Sequence, residues 1–107
     1  MPTYANTSYV AKNVGTSASM LTTVSSGTIA ITSLVVSNTT TSPITTDVYF
    51  TRSATDYYLV KAATIPVGGS LEVIGGNRVV LIASDALKVV TSAASSADVV
   101  VSVLTAV

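Results

Sequence analysis

The sequence contains no histidine, no cysteine and no tryptophan. Without histidine, neither a Ser-His-Asp nor a Cys-His nucleophile system can be built, and the commonest metal ligand is missing. Without cysteine, disulfide bonds and thiolate chemistry are both excluded. We therefore expect a protein that is not an enzyme and that has no catalytic residue, no cofactor site and no metal site.

Acidic residues are few, and their positions indicate turns rather than a catalytic pair. The five carboxylates are Asp47, Asp56, Glu72, Asp85 and Asp98. Asp56 and Asp85 lie in predicted turns, where an aspartate side chain commonly caps its own backbone. Asp98 stands at the start of a valine-rich strand and is interpreted in the same way.

Charge of either sign is scarce. Charged residues make up 9% of the chain, against roughly 25% in ordinary globular proteins, whereas hydrophobic residues make up 49%. Disordered chains have the opposite composition. The five basic residues are scattered and are balanced by the five acids, so no nucleic-acid partner is expected. A surface with so little charge suits a protein that is packed permanently among other proteins.

The residue types favour strands along the whole chain. Valine, threonine, isoleucine and tyrosine dominate, and turn residues recur at short intervals. The segments that fit strands are residues 9–14, 20–24, 28–38, 47–52, 57–62, 71–74, 78–82, 87–91 and 98–104. The sequence thus predicts an all-β fold of about eight strands, a single antiparallel β-sandwich of immunoglobulin-like or jelly-roll type over residues 1–107. Residues 1–8 are predicted to be either an ordered first strand or an extended N-terminal arm on a neighbouring subunit.

Two strands carry finer predictions. In 28–38, the apolar alternation changes phase near Thr32 and Ser33, which indicates a bulge. In the last strand, Val99, Val101 and Val103 are expected to face the core. Val100 and Leu104 then face outward, where an apolar surface needs cover from a loop or from another chain.

Aromatic residues concentrate in one predicted hairpin, formed by residues 47–52 and 57–62. Tyr49, Phe50, Tyr57 and Tyr58 could present a surface to a sugar or to a protein partner, but cross-strand aromatic pairs that stabilise the hairpin are the favoured interpretation. The candidate partner-contact residues are Tyr4, Tyr9, Tyr49, Tyr57, Tyr58, Val100 and Leu104.

The second half of the chain resembles a domain of tailed-bacteriophage virion proteins. The stretches "DVYFTRSATDYYLVKAATIPVGGSLEVI", "RVVLIASDALKVVTS" and "ADVVVSVL" carry the resemblance, which extends over residues 30–104. The matching positions are Pro66, residues 69–72 ("GSLE"), Asp85, residues 87–89 ("LKV") and residues 98–102 ("DVVVS"). Ser84 departs from the pattern, because the family usually has glycine before the turn aspartate.

The resemblance implies a structural role in a phage virion. The leading hypothesis is a capsid decoration (cement) protein, which would stabilise the phage head through contacts with the major capsid protein or other virion proteins, and which would itself form a homo-oligomer. A tail, neck, baseplate or fibre component is the alternative. A carbohydrate-binding module that presents Tyr49, Tyr57 and Tyr58 is a further one.

The expected location is the virion, after synthesis in the host bacterial cytoplasm. The first residues show no basic segment followed by an apolar one, so no signal peptide is expected. No run of about 18 uncharged apolar residues occurs, so no membrane partner is expected.

Overall fold

The structure is a computed structural model that describes residues 4–24, 27–74 and 79–106. These residues form nine strands and no helix. The strands are β1 (Tyr4–Val14), β2 (Ser19–Thr23), β3 (Thr28–Asn38), β4 (Ile44–Arg52), β5 (Thr55–Ile65), β6 (Ser70–Glu72), β7 (Val79–Ile82), β8 (Ala86–Thr91) and β9 (Ala97–Ala106). Each of the nine predicted segments corresponds to one strand, although Arg78 lies outside the described residues.

The strands form two antiparallel sheets, which confirms the predicted β-sandwich. Sheet A has the order β1-β9-β3-β6, with β7 also paired to β3, and sheet B has the order β2-β8-β4-β5. Because β6 and β7 pair with opposite ends of β3, they share one position, and the nine strands fill eight. The two orders are then 1-8-3-6 and 2-7-4-5. This interleaving is that of a jelly roll, which selects one of the two predicted types.

The inner faces of the two sheets form the core. Its fully buried members come from both sheets, and they include Ile31, Leu34, Val48, Leu81, Leu87, Val89, Val99, Val101 and Val103. The prediction for the last strand is confirmed, since its three odd-numbered valines are at most 1% exposed. Alternation along β8 and β9 therefore decides which side chains lie inside.

The predicted bulge in β3 is confirmed. The register of β3 against β9 shifts between Ile31 and Ser33, and the buried positions change from 29 and 31 to 34 and 36. Glu72 of β6 secures this irregularity, because its carboxylate accepts hydrogen bonds from Leu34 N (2.9 Å) and from Ser33 Oγ (2.9 Å). The glutamate of the "GSLE" motif is therefore part of how β6 joins sheet A.

The predicted hairpin is β4–β5, closed by Ser53 and Ala54. Both residues have positive φ, 54° and 63°, which is the conformation of the two-residue hairpin turns that match strand twist. The pairing extends beyond the predicted bounds to Ile44 and Ile65. Strand ends follow the backbone pairing, which residue types do not encode.

The N-terminal strand is also longer than its residue types indicate. Residues 4–8 belong to β1, and their backbone pairs with β9 from Tyr4–Ala106 onward. The polar run at 5–8 lacks the residue types of a strand, but an edge strand needs only one partner and tolerates polar side chains. Residues 1–3 lie outside the described residues.

The turn from β7 to β8 joins the two sheets. Ser84 has a φ of 75°, so this residue adopts the left-handed conformation that a glycine would take without steric cost. The turn is held by Ser84 N, which donates to Val24 O (2.8 Å), and by Asp85 N, which donates to Ile82 O (3.0 Å). The turn is therefore formed with backbone strain at Ser84.

Candidate interaction surface

The outer face of sheet A is the most distinctive surface of the described residues. Since side chains alternate along each strand, the pairing registers place outward residues in rows across the sheet. One row contains Val10, Val100 and Val35. A second row contains Leu104, Ala30 and Val80. The sheet thus presents two largely aliphatic rows to its outside, the first ending at Glu72 of β6 and the second at Asn6 of β1.

These apolar side chains are exposed to an unusual degree. Val10 is 74% exposed, Val100 48%, Val80 49% and Ile82 44%. A single exposed valine is ordinary on a protein surface, but a set of aligned ones on one sheet face indicates an interaction site. We refer to Val10, Val35, Val80, Ile82, Val100 and Leu104 as the apolar face.

A row of serines and one ion pair also lie on this surface. Ser8, Ser102 and Ser33 form a row between the two apolar rows. At one end of the sheet, Lys12 Nζ and Asp98 Oδ2 are 2.9 Å apart. This hydrogen bond lowers the pKa of Asp98, so its carboxylate stays ionised at neutral pH and lies against the Lys12 side chain. The acid and the base of this pair therefore cancel in the net charge of the surface.

Sheet B has a different outer face. Its central row contains Lys88, Tyr49 and Tyr58, and Lys61 Nζ lies 4.2 Å from the centre of the Tyr58 ring. Asp47 lies on the same face, beside this row. Burial raises the pKa of Tyr49, and the charges of Asp56 and Asp47 raise it further. Charged groups are thus interleaved with aromatic ones, and the described side chains of this face form no aliphatic patch like that of sheet A.

The aromatic residues of the hairpin pair across the strands, as the favoured interpretation holds. The rings of Tyr49 and Tyr58 are 5.0 Å apart, and those of Phe50 and Tyr57 are 5.5 Å apart. The two pairs occupy opposite faces of the hairpin, because Phe50 packs against the core while Tyr49 faces outward. Tyr49, Tyr57 and Tyr58 therefore form no single binding surface of the kind that a sugar site needs.

The remaining candidate residues divide between the two sides of sheet A. Val100 and Leu104 lie on the outer face, as predicted. Tyr9 instead packs against the core, because it pairs with the buried Val101. The backbone of Tyr4 pairs with Ala106. Sequence reasoning missed Val10, Val80 and Ile82. The available signal was that these residues are apolar and stand at even-numbered positions of two strands. Which face of the sheet they occupy depends on strand registers that only the structure provides.

All five carboxylates have structural hydrogen bonds. Asp98 accepts from Asn13 N (3.2 Å) and Asp47 from Ala62 N (2.6 Å), each where the backbone φ is positive. Glu72 bonds the β3 bulge, and Asp56 accepts from Thr51 Oγ1 (2.7 Å). The fifth, Asp85, is described next. Within the described ranges, no group of three or more potential metal ligands occurs.

Asp85 is the most buried of these acids, with 1% of its side chain exposed. It accepts hydrogen bonds from Arg52 Nε (2.9 Å), Arg52 Nη2 (2.6 Å) and Ile82 N (2.9 Å). The bond with Arg52 holds the pKa of Asp85 below its ordinary value. The predicted turn cap is confirmed, and it also connects the inter-sheet turn to the end of β4. No described helix could span a membrane, since the described residues contain none.

Comparisons with known proteins bear on the fold. No family model matches the chain, and no curated protein matches it. Among solved structures, the chain is similar to a protein of the Bacillus endospore appendages, which form a novel family of disulfide-linked pili. The likeness covers 100% of this chain and 91% of that chain, with a TM-score of 0.59 and 14% sequence identity. At this level of identity, the two proteins are shown to share an all-β sandwich fold.

Proposed function

We propose that this protein is a non-enzymatic structural subunit that is incorporated into a larger protein assembly through the outer face of sheet A. The exposed apolar face is the single observation that carries this proposal. Folding requires only the inner faces of a sandwich to be apolar, so the valines on the outer face of sheet A have no role in the core. Contact with another protein would explain why they are apolar.

A contact through apolar surface can be stable without charged groups. Burying apolar surface contributes roughly 25 cal/mol per Å² before the cost of association. An interface of standard size covers about 800 Å² on each partner. A contact of this kind needs no ion pairs, and many identical copies on a symmetric particle would reinforce one another. The low charge of the chain fits such a setting.

The proposed assembly is the head of a tailed phage, where the protein would act as a capsid decoration protein. This finer proposal rests on the resemblance of residues 30–104 to phage virion proteins. The motifs that carry the resemblance have defined places in the fold: residues 70–72 and 98–102 lie in strands of sheet A, and Asp85 anchors the turn between the sheets. The appendages to which the similar protein belongs are linked by disulfide bonds. This chain has no cysteine and cannot form such a link.

The location in the virion is tested by counting copies. Purified particles of the phage that encodes this chain would be dissociated and analysed by quantitative mass spectrometry. A decoration protein is expected at hundreds of copies per particle, because it follows the capsid lattice. A count in the tens would move the protein to the tail, neck, baseplate or fibre, and its absence from particles would overturn the virion proposal.

The binding face is tested with substitutions at matched exposed valines. Val100→Lys combined with Val10→Lys places two charges on the apolar face and should abolish binding to particles that lack the protein, as measured by co-sedimentation. Val67→Lys is the control, because Val67 is 53% exposed but lies between β5 and β6, away from that face. Equal binding by the double variant and the wild type would contradict the proposal.

A further inference from the structure

The four sheet edges of the described residues differ in how well they could accept another strand. An edge strand presents unpaired N–H and C=O groups from every second residue, and proteins normally protect such edges with charge, proline, bulges or short length. β1 has none of these protections over most of its length. Its pairing with β9 is regular for eight consecutive residues, from Tyr4–Ala106 to Ala11–Val99, and residues 4–11 contain neither charge nor proline.

The other edges are all protected. β5 carries Lys61, and its register against β4 shifts twice, while Ala62 has a φ of 54°. β2 is only five residues long and also has a register shift. β6 and β7 have three and four residues. The open edge is therefore specific to β1.

We propose that β1 pairs antiparallel with β1 of a second copy of this chain, which joins the two A sheets into one continuous sheet across a two-fold axis. The identical strand is the occupant that the edge favours. Residues 4–11 are uncharged, so two copies approach without like-charge repulsion. A two-fold pair also covers both edges at once and leaves neither open, and such closed dimers are the commonest homo-oligomers.

The side-chain period of two restricts the register. Outward residues of one copy must lie opposite outward residues of the other, since a slip by one residue would turn apolar-face residues inward. With the axis at Thr7, Asn6 lies opposite the second copy's Ser8. The apolar faces of both copies then lie on the same side of the joined sheet, so the dimer would present a doubled surface to the assembly.

The test measures the mass of the full chain in solution by light scattering after size-exclusion chromatography. The wild type should have twice the chain mass of 10.8 kDa. Asn6→Lys combined with Ser8→Lys places charges on exposed positions that face each other across the proposed contact, and should raise the dimer dissociation constant roughly tenfold or more. Thermal unfolding by circular dichroism verifies that the variant is folded.

The matched control adds the same two charges to the opposite sheet. Thr55→Lys combined with Thr64→Lys modifies exposed positions of the β5 edge and should leave the dimer intact. A monomeric wild type, a dimer that survives the β1 substitutions, or equal dissociation by the control would each overturn the proposal. None of these outcomes would alter the copy number in particles, so this inference can fail independently of the proposed function.

Discussion

The two sheets have equivalent inner faces and very different outer faces. Inside, each sheet contributes fully buried aliphatic residues, such as Leu34 from sheet A and Leu87 from sheet B. Outside, sheet B presents Lys88 and Tyr58 among other charged and aromatic groups, whereas sheet A presents aligned valines such as Val100. Because a sandwich folds with either kind of exterior, the fold itself does not require the exposed valines of sheet A, and the proposed contact with other proteins would account for them.

The largest expected change in the free energy of unfolding distinguishes the inner face of sheet A from its outer face. Leu34 and Val35 are neighbours on β3, but the first is fully buried and the second faces outward. Leu34→Ala should lower the free energy of unfolding by about 2–5 kcal/mol, from lost burial and a residual cavity. Val35→Ala should lower it by less than about 1 kcal/mol. Urea denaturation measures both, and equal losses would mean that the outer face also supports the fold.

An intermediate effect on stability compares two ion pairs, one with a buried carboxylate at the turn between the sheets and one on the outer face of sheet A. Asp85→Ala leaves Ile82 N without its acceptor and Arg52 without its partner, which should cost about 2 kcal/mol. Asp98→Ala removes an exposed pair, which should cost within about 1 kcal/mol. A larger loss at Asp98 would contradict the assignment of Asp85 as the connection between the sheets.

The same comparison predicts a dependence on pH. Arg52 holds the folded pKa of Asp85 below its ordinary value, so the contribution of Asp85 to stability is fully present above about pH 4. It is lost as the pH falls through the folded pKa, where the carboxylate becomes protonated. The wild type should therefore lose stability on acidification below about pH 4. The Asp85→Ala variant should lose less over the same range, as measured by thermal unfolding.

The smallest effect concerns the turn that joins the sheets. Ser84 holds a positive φ, so Ser84→Gly should relieve backbone strain and raise the free energy of unfolding by about 1 kcal/mol. Ser42→Gly is the matched control at an exposed position without positive φ. It should leave stability unchanged or lower it by a few tenths of a kcal/mol. A destabilising Ser84→Gly would show that the turn is not strained. A stabilising Ser42→Gly would show that glycine stabilises this protein for a reason other than a positive φ.

The sequence predicts the fold well because this fold is encoded locally. Alternation identifies the inward valines of β9, the phase change at Thr32 identifies the bulge, and Asp85 marks its turn. Bounds were less predictable, since β1 extends to Tyr4 by pairing with β9 and not by residue type. The jelly-roll order itself depends on contacts between strands that are distant along the chain.

The surface was only partly predictable for the same reason. The outward positions of β9 follow from alternation within one strand, so Val100 and Leu104 could be named. Val10 and Val80 join them only through the registers of β1 with β9 and of β7 with β3. Tyr9, a candidate partner contact by residue type, packs against the core because its strand presents odd-numbered residues there.

We propose that the apolar face is covered when the protein is in use, and residue-level covalent footprinting measures this cover at each valine. The free protein and the assembled particle would be labelled with a carbene or hydroxyl-radical reagent and analysed by mass spectrometry. We predict that labelling of Val10, Val80 and Val100 falls strongly on assembly, whereas that of Tyr58 on sheet B changes little. Unchanged labelling of the three valines in the assembled particle would contradict the account.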